Sequence, residues 1–86
     1  MNSSTTPRFR ERYQALPAPI KAAAKKQYRL WSDNPRHPSL QFKKVGPFWS
    51  VRVTGDYRAL SILRQGVYYW FWIGPHPEYD QLLSKK

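Results

Sequence analysis

Hydrophobic positions change period once along this chain, near Gln41, and the change separates helices from strands. Before it, Ile20, Ala23, Ala24, Tyr28 and Trp31 recur three and four residues apart, the spacing of one helix face. They predict a helix over "LPAPIKAAAKKQYRLWSDNP". Pro17 or Pro19 sits in its first turn, where a missing N–H costs nothing, and Asn34-Pro35 stops it. Lys21, Lys25 and Arg29 fall on another face. Upstream, Phe9, Tyr13 and Leu16 predict a short first helix, and residues 1–7 read as a frayed start. "PRHPSL" is an extended connector held open by its two prolines.

Beyond Gln41 the period is two. "QFKKV", "FWSVRVT", "YRALSILR" and "VYYWFWI" read as strands separated by Gly46-Pro47, Gly55-Asp56 and Gln65-Gly66. Turns this short join antiparallel neighbours. "EYDQLLSKK" reads as a brief C-terminal helical turn packed by Leu82 and Leu83. The expected fold is α+β, with N-terminal helices packed on one face of a four-stranded antiparallel sheet. No repeat, linker or low-complexity tract interrupts the 86 residues, so a single domain over 1–86 is expected.

Composition narrows the chemistry mainly by what is missing. With no cysteine, disulfides, thiolate zinc sites and cysteine nucleophiles are excluded, which suits a reducing cytoplasm. No apolar run approaches the ~18 residues of a membrane span, and the Ser/Thr/Arg-rich start contains Glu11 and lacks the apolar core of a secretory signal. Two histidines and five acids are available. His37 and His76 fall in different loops, and Glu78 and Asp80 lie near only one of them, which argues against a three- or four-ligand metal site. There is no Gly-rich phosphate loop and no Gly-x-Ser-x-Gly elbow, so no cofactor is expected. Fifteen Lys and Arg give a formal charge of +10, which attracts polyanions: nucleic acid first, an acidic protein equally well.

A cationic site with one histidine suits RNA cleavage without metal. The 2′-hydroxyl attacks the adjacent phosphorus, which requires a base, cations for the added negative charge, and an acid for the leaving oxygen. Arginine is the best clamp, because its planar fork meets two phosphate oxygens. Arg52 and Arg58 lie on the central hairpin. A two-residue Gly55-Asp56 loop sets Thr54 opposite Tyr57 and Val53 opposite Arg58, which separates the arginines onto two faces; a one-residue bulge unites them. Counting inward from Gln65-Gly66 sets Arg58 opposite Ile73, at the sheet end from which "GPHPEY" departs. His76 is therefore aimed toward Arg58. Plainer readings stand beside these: an ion pair of Arg58 with Asp80 or Glu78, simple ring packing by Tyr79, a core or partner-binding surface for Trp70 and Trp72. Lys43 and Lys44 alternate across a strand, so at least one points to solvent.

The succession "LP…NPRHPSLQFKKV", "WSVRVTGDYRAL" and "WFWIGPHPEYDQLL", over residues 16 to 83, resembles the RelE/ParE superfamily of bacterial type II toxin-antitoxin toxins. The resemblance implies helices packed on an antiparallel sheet and, in many members, cleavage of messenger RNA, often on the ribosome. It maps a phosphate-contacting arginine onto Arg58, proton transfer or stacking onto His76 and Tyr79, and assisting lysines onto Lys43 and Lys44; Arg52 is expected as a further RNA contact from its place on the central hairpin, not from the resemblance. A carboxylate base between Asn34 and Val53 is missing, and Tyr79 and His37 both stand as candidates for the general acid. It further implies a metal-independent endoribonuclease leaving a 2′,3′-cyclic phosphate, neutralised by an acidic antitoxin. The other branch, ParE-type toxins, poisons DNA gyrase by protein contact and needs no catalytic groups.

Overall fold

The computed structural model describes residues 2–84. In chain order the elements are β1 (Asn2–Thr5), α1 (Pro7–Gln14), α2 (Ala18–Asp33), a 3-10 turn (Pro38–Leu40), β2 (Lys43–Val45), β3 (Phe48–Thr54), β4 (Tyr57–Arg64), β5 (Val67–Pro75) and α3 (His76–Ser84). Thr6 caps α1 by accepting from the Phe9 N–H at 3.2 Å, with Pro7 opening the helix. Pro17 precedes α2 and Asn34 ends it. Gly46 at φ +60, Gln65 at +49 and Gly66 at +80 supply the left-handed positions that two of the hairpin turns need.

The sheet has five strands in the order β1-β5-β4-β3-β2. Four are the predicted antiparallel meander. The fifth corrects the sequence reading: Asn2–Thr5, expected to fray, pairs parallel with Val67–Trp70, and the Thr6 N–H continues the ladder to the Trp70 carbonyl at 3.0 Å. "NSST" holds no apolar residue, so periodicity could not show a strand whose pairing is made by backbone alone. Met1, Lys85 and Lys86 lie outside the described residues. The C-terminal helix starts two residues earlier than expected, at His76 directly after β5. Leu83 packs against the sheet, but Leu82 is exposed.

Two apolar clusters sandwich the sheet. On the helix side Trp31 of α2, 1% exposed, stands edge-on to Tyr68 and Trp70 with both centroids 5.3 Å away, among Leu40, Val51, Val53, Ala59 and Ile73. On the other side Leu60, Trp72 and Tyr79 form a smaller cluster, joined by Phe48 and Phe71. Each buried indole is worth roughly 4 to 6 kcal/mol of gross transfer energy, so a few rings dominate the core of so short a chain. Tyr28 departs from the predicted stripe: it is exposed and shares a hydrogen bond with Ser3, while Leu30 packs on the core instead. Among the described residues no helix is long and apolar enough to cross a membrane.

Candidate functional site

Two bulges set the geometry of the sheet end where β5 runs into α3. In the central hairpin Thr54 pairs with Tyr57 as the loop count predicts, but Arg52, not Val53, pairs with Arg58. Val53 is the extra residue. Its side chain stays in the helix-side core, where Tyr57 also packs, and the slip leaves both arginines on the opposite face beside the α3 cluster. The second bulge, at Phe71, pairs Ser61 with Trp70 and Leu60 with Trp72. It sends the two tryptophans to opposite faces and moves Arg58 opposite Gly74, not the Ile73 of the sequence count.

The turn between β3 and β4 gathers the charged groups. Arg58 Nη1 donates to the carbonyls of Thr54 at 2.6 Å, Tyr57 at 3.0 Å and Gly55 at 3.3 Å. Its Nε and Nη2 have no partner among the described residues. Arg52 lies along the same turn, its Nη2 3.6 Å from where a Cβ on Gly55 would stand. The His76 N–H donates to the Asp56 carbonyl at 2.7 Å, which ties the start of α3 to this turn. His76 Nδ1 lies 3.1 Å from Asp80 Oδ2. A carboxylate only accepts, so Nδ1 carries the proton and the neutral ring keeps its lone pair on Nε2. Among the described residues Arg58 makes no ion pair with an acid: Asp80 pairs with His76, and Glu78 with Arg12.

Arg12 is the residue that sequence reasoning did not single out. β1 covers only the first half of β5, and β2 only the first half of β3. Helix side chains close the uncovered half-edges: Gln27 Nε2 donates to the Arg52 carbonyl and Arg12 Nε to the Ile73 carbonyl, each at 2.9 Å. The Arg12 guanidinium then reaches Glu78 at 3.0 Å and lies 5.2 Å from the Trp72 ring centroid. Gly74 makes room for it, since a Cβ there would meet Trp72 at 2.7 Å and Arg12 Nη2 at 2.9 Å. Three arginines thus meet at one sheet end. Arg8, Arg10 and Arg12 are alike in sequence, and only the edge contact, 61 residues away, distinguishes the last.

The remaining candidates are not brought together so tightly. Lys43 pairs with Ser50 and shares the α3 face; Lys44 pairs with Trp49 and points the other way, and both are exposed. Tyr79 is buried, sharing a 2.8 Å hydrogen bond with Ser50 Oγ, its ring centroid 5.4 Å from that of His76. His37 belongs to the helix side. Its Nδ1 accepts from the Ser39 N–H at 3.2 Å. Among the described residues no three His, Cys, Asp or Glu side chains group as metal ligands.

No protein-family model matches the sequence, and a comparison with curated proteins finds no match. Solved structures do match. YafQ of E. coli superposes with a TM-score of 0.73 at 12% identity over 91% of this chain and 96% of that one. A chain of the RelB-RelE antitoxin-toxin complex of Methanococcus jannaschii gives 0.71 at 12% identity, over 91% and 95%. The YoeB/ParE toxin from Agrobacterium tumefaciens gives 0.68 at 16% identity, over 88% and 99%. These superpositions show that the chain shares its fold with these structures, those of the RelE and YoeB/ParE toxins among them.

Proposed function

We propose that this chain is the toxin of a toxin-antitoxin pair and acts as a metal-independent endoribonuclease on messenger RNA. The observation that carries the reading is the bulge at Val53, which unites Arg52 and Arg58 on the face where His76 begins α3. Three carbonyls hold Arg58 Nη1, so the fork formed by Nε and Nη2 is oriented before a phosphate arrives, and orientation fixed in advance costs nothing at the moment of reaction. His76, its Nδ1–H held by Asp80, takes the 2′-hydroxyl proton on Nε2. The 2′-oxygen bonds to phosphorus, the bond from phosphorus to the 5′-oxygen breaks, and a 2′,3′-cyclic phosphate remains.

Tyr79 and His37 have both been candidates for the acid. With Tyr79 buried against Ser50 and His37 on the other side of the sheet, the leaving 5′-oxygen takes its proton from water. A missing general acid forfeits on the order of 10²- to 10⁴-fold, so the free protein cuts naked RNA slowly, and the ribosome is the place to look for the missing group. Purified protein should be assayed on RNA alone and with ribosomes. Cyclic-phosphate ends and resistance of a 2′-deoxy substrate are expected in both; cleavage of the deoxy substrate, or dependence on added metal, overturns the mechanism.

The same missing acid favours a second reading, a ParE-like toxin that acts on gyrase by contact alone. Gyrase inhibition with RNA left intact, retained in His76→Ala, would decide for it. Under either reading the +10 charge and the antitoxin-toxin complex among the structural neighbours support an acidic antitoxin as partner.

A further inference from the structure

The uncovered half-edge of β3 opens on its helix side into a cleft of about 630 Å³, within the range of small-ligand sites. Its floor is apolar, from Leu30 of α2 and Val53 of the bulge; Lys26 and His37 stand in its polar wall with the main chain of Arg52, whose carbonyl Gln27 holds, and no acidic residue lines it. His37 is set as a donor. Because Nδ1 accepts from the Ser39 N–H, the neutral ring carries its proton on Nε2, the reverse of His76. Gln27 fixes the walls by donating to the Arg52 carbonyl at 2.9 Å and the Ser39 carbonyl at 3.4 Å. Thr54 also lines the cleft, and its carbonyl holds Arg58. The cleft therefore adjoins the turn that gathers Arg52, Arg58 and His76, one strand's thickness away.

We propose that this cleft is a second RNA subsite, which takes a phosphodiester and its base several nucleotides from the one being cut. The inference rests on the nuclease reading. Lys26 and the His37 Nε2–H contact the phosphate, which positions the strand without reading sequence, and the apolar floor takes the face of a base. Arg52 links the two sites, its side chain on the cleavage face and its main chain in the wall of the cleft. The strand passes around the half-edge of β3 that β2 leaves uncovered.

The test compares RNA lengths. A stacked strand advances about 3.4 Å per nucleotide, so a 12-mer spans about 40 Å, more than the 32 Å longest dimension of the protein, whereas a trimer fills the cleavage site alone. Fluorescence anisotropy with 5′-labelled RNA should show Lys26→Gln with His37→Gln weakening the 12-mer on the order of tenfold. The slope of log K against log salt should fall by about 0.7 for the lost phosphate contact. Binding of the trimer should be unchanged, and so should 12-mer binding in Lys25→Gln, which alters charge on α2 outside the cleft. Equal losses on both lengths, or an unchanged 12-mer, overturn the subsite. Arg58→Ala is read in parallel for cleavage: if it cuts both lengths at the parent rate, the nuclease mechanism fails, while a length-dependent loss in the Lys26 and His37 variant still establishes the subsite.

Discussion

Replacing Tyr79 by phenylalanine removes one oxygen from a buried pair and leaves the ring in place. That oxygen lies 2.8 Å from Ser50 Oγ, with Tyr79 7% and Ser50 2% exposed. If the hydroxyl serves the fold, Tyr79→Phe strands the Ser50 hydroxyl, and a buried polar group without a partner costs about 1–3 kcal/mol. Ser50→Ala strands the phenol in the same way. The double replacement leaves nothing unpaired, and exchanging both partners for apolar groups is close to neutral. Taking about 1.5 kcal/mol for each single change, Tm falls by roughly 6 to 12 °C in either one. It returns close to the parent value in the double variant, a coupling of about 2 to 3 kcal/mol across the cycle. Thermal unfolding reads the stability, and single-turnover RNA cleavage well below the lowest Tm reads the chemistry. The structural role predicts cleavage within about threefold of the parent in all three folded variants. A loss of 10²-fold or more in Tyr79→Phe that persists in the restabilised double variant refutes it, because that is the size of a general acid's contribution. Simple additivity of the two single changes refutes it as well.

Arg58→Lys keeps the charge but loses the fork and the carbonyl cage, so most of the cleavage rate should go while the salt dependence of RNA binding changes little; a rate near the parent's would mean that charge alone suffices. His76→Ala should cost on the order of 10²- to 10⁴-fold and flatten one limb of the pH-rate curve. Asp80→Ala should cost less than that, since water can take the place of an exposed carboxylate, and equal losses would give Asp80 a direct part in the reaction. Gly74→Ala pushes a methyl to 2.7 Å from Trp72 and 2.9 Å from Arg12. The arginine can swing away but the 6% exposed indole cannot, so a loss of about 1–3 kcal/mol is expected by urea denaturation; an unchanged midpoint would show that the sheet end yields.

The nuclease reading places the chemistry on groups the chain itself orients. Arg58 is held by carbonyls of its own hairpin and His76 by an acid one helical turn on. A longer-range tie is the His76 N–H to the Asp56 carbonyl, which joins the start of α3 to the turn between β3 and β4. A distant element also enters at the seam around Gly74, where α1, β5 and α3 meet through Arg12. Under the proposed toxin reading, an acidic partner segment that folds on binding has in the cleft beside β3 a cationic surface to cover.

Local signals in the sequence determined a good deal of this molecule. The spacing of Ile20, Ala23, Ala24 and Trp31 marks α2, Pro17 and Asn34 bound it, and Gly46, Gly55 and Gly66 space four strands, because period and turn chemistry act over a few residues. That Arg58 and the start of "GPHPEY" lie at one end of the sheet was legible for the same reason, although the count missed the register by one residue. Tertiary structure decided the rest. Strand β1 exists because β5 offers an unpaired edge, not because "NSST" favours a strand. Whether Arg52 joins Arg58, and whether Trp70 and Trp72 part, rests on bulges at Val53 and Phe71. A pleat of period two cannot announce a bulge, since the extra residue is placed by the cores on the two faces of the sheet, each taking the side chains that fit it. Arg12 is invisible for a similar reason, since its partners are a carbonyl left open by a strand that ends early and a glycine that leaves space, and neither is a property of the segment that carries the arginine.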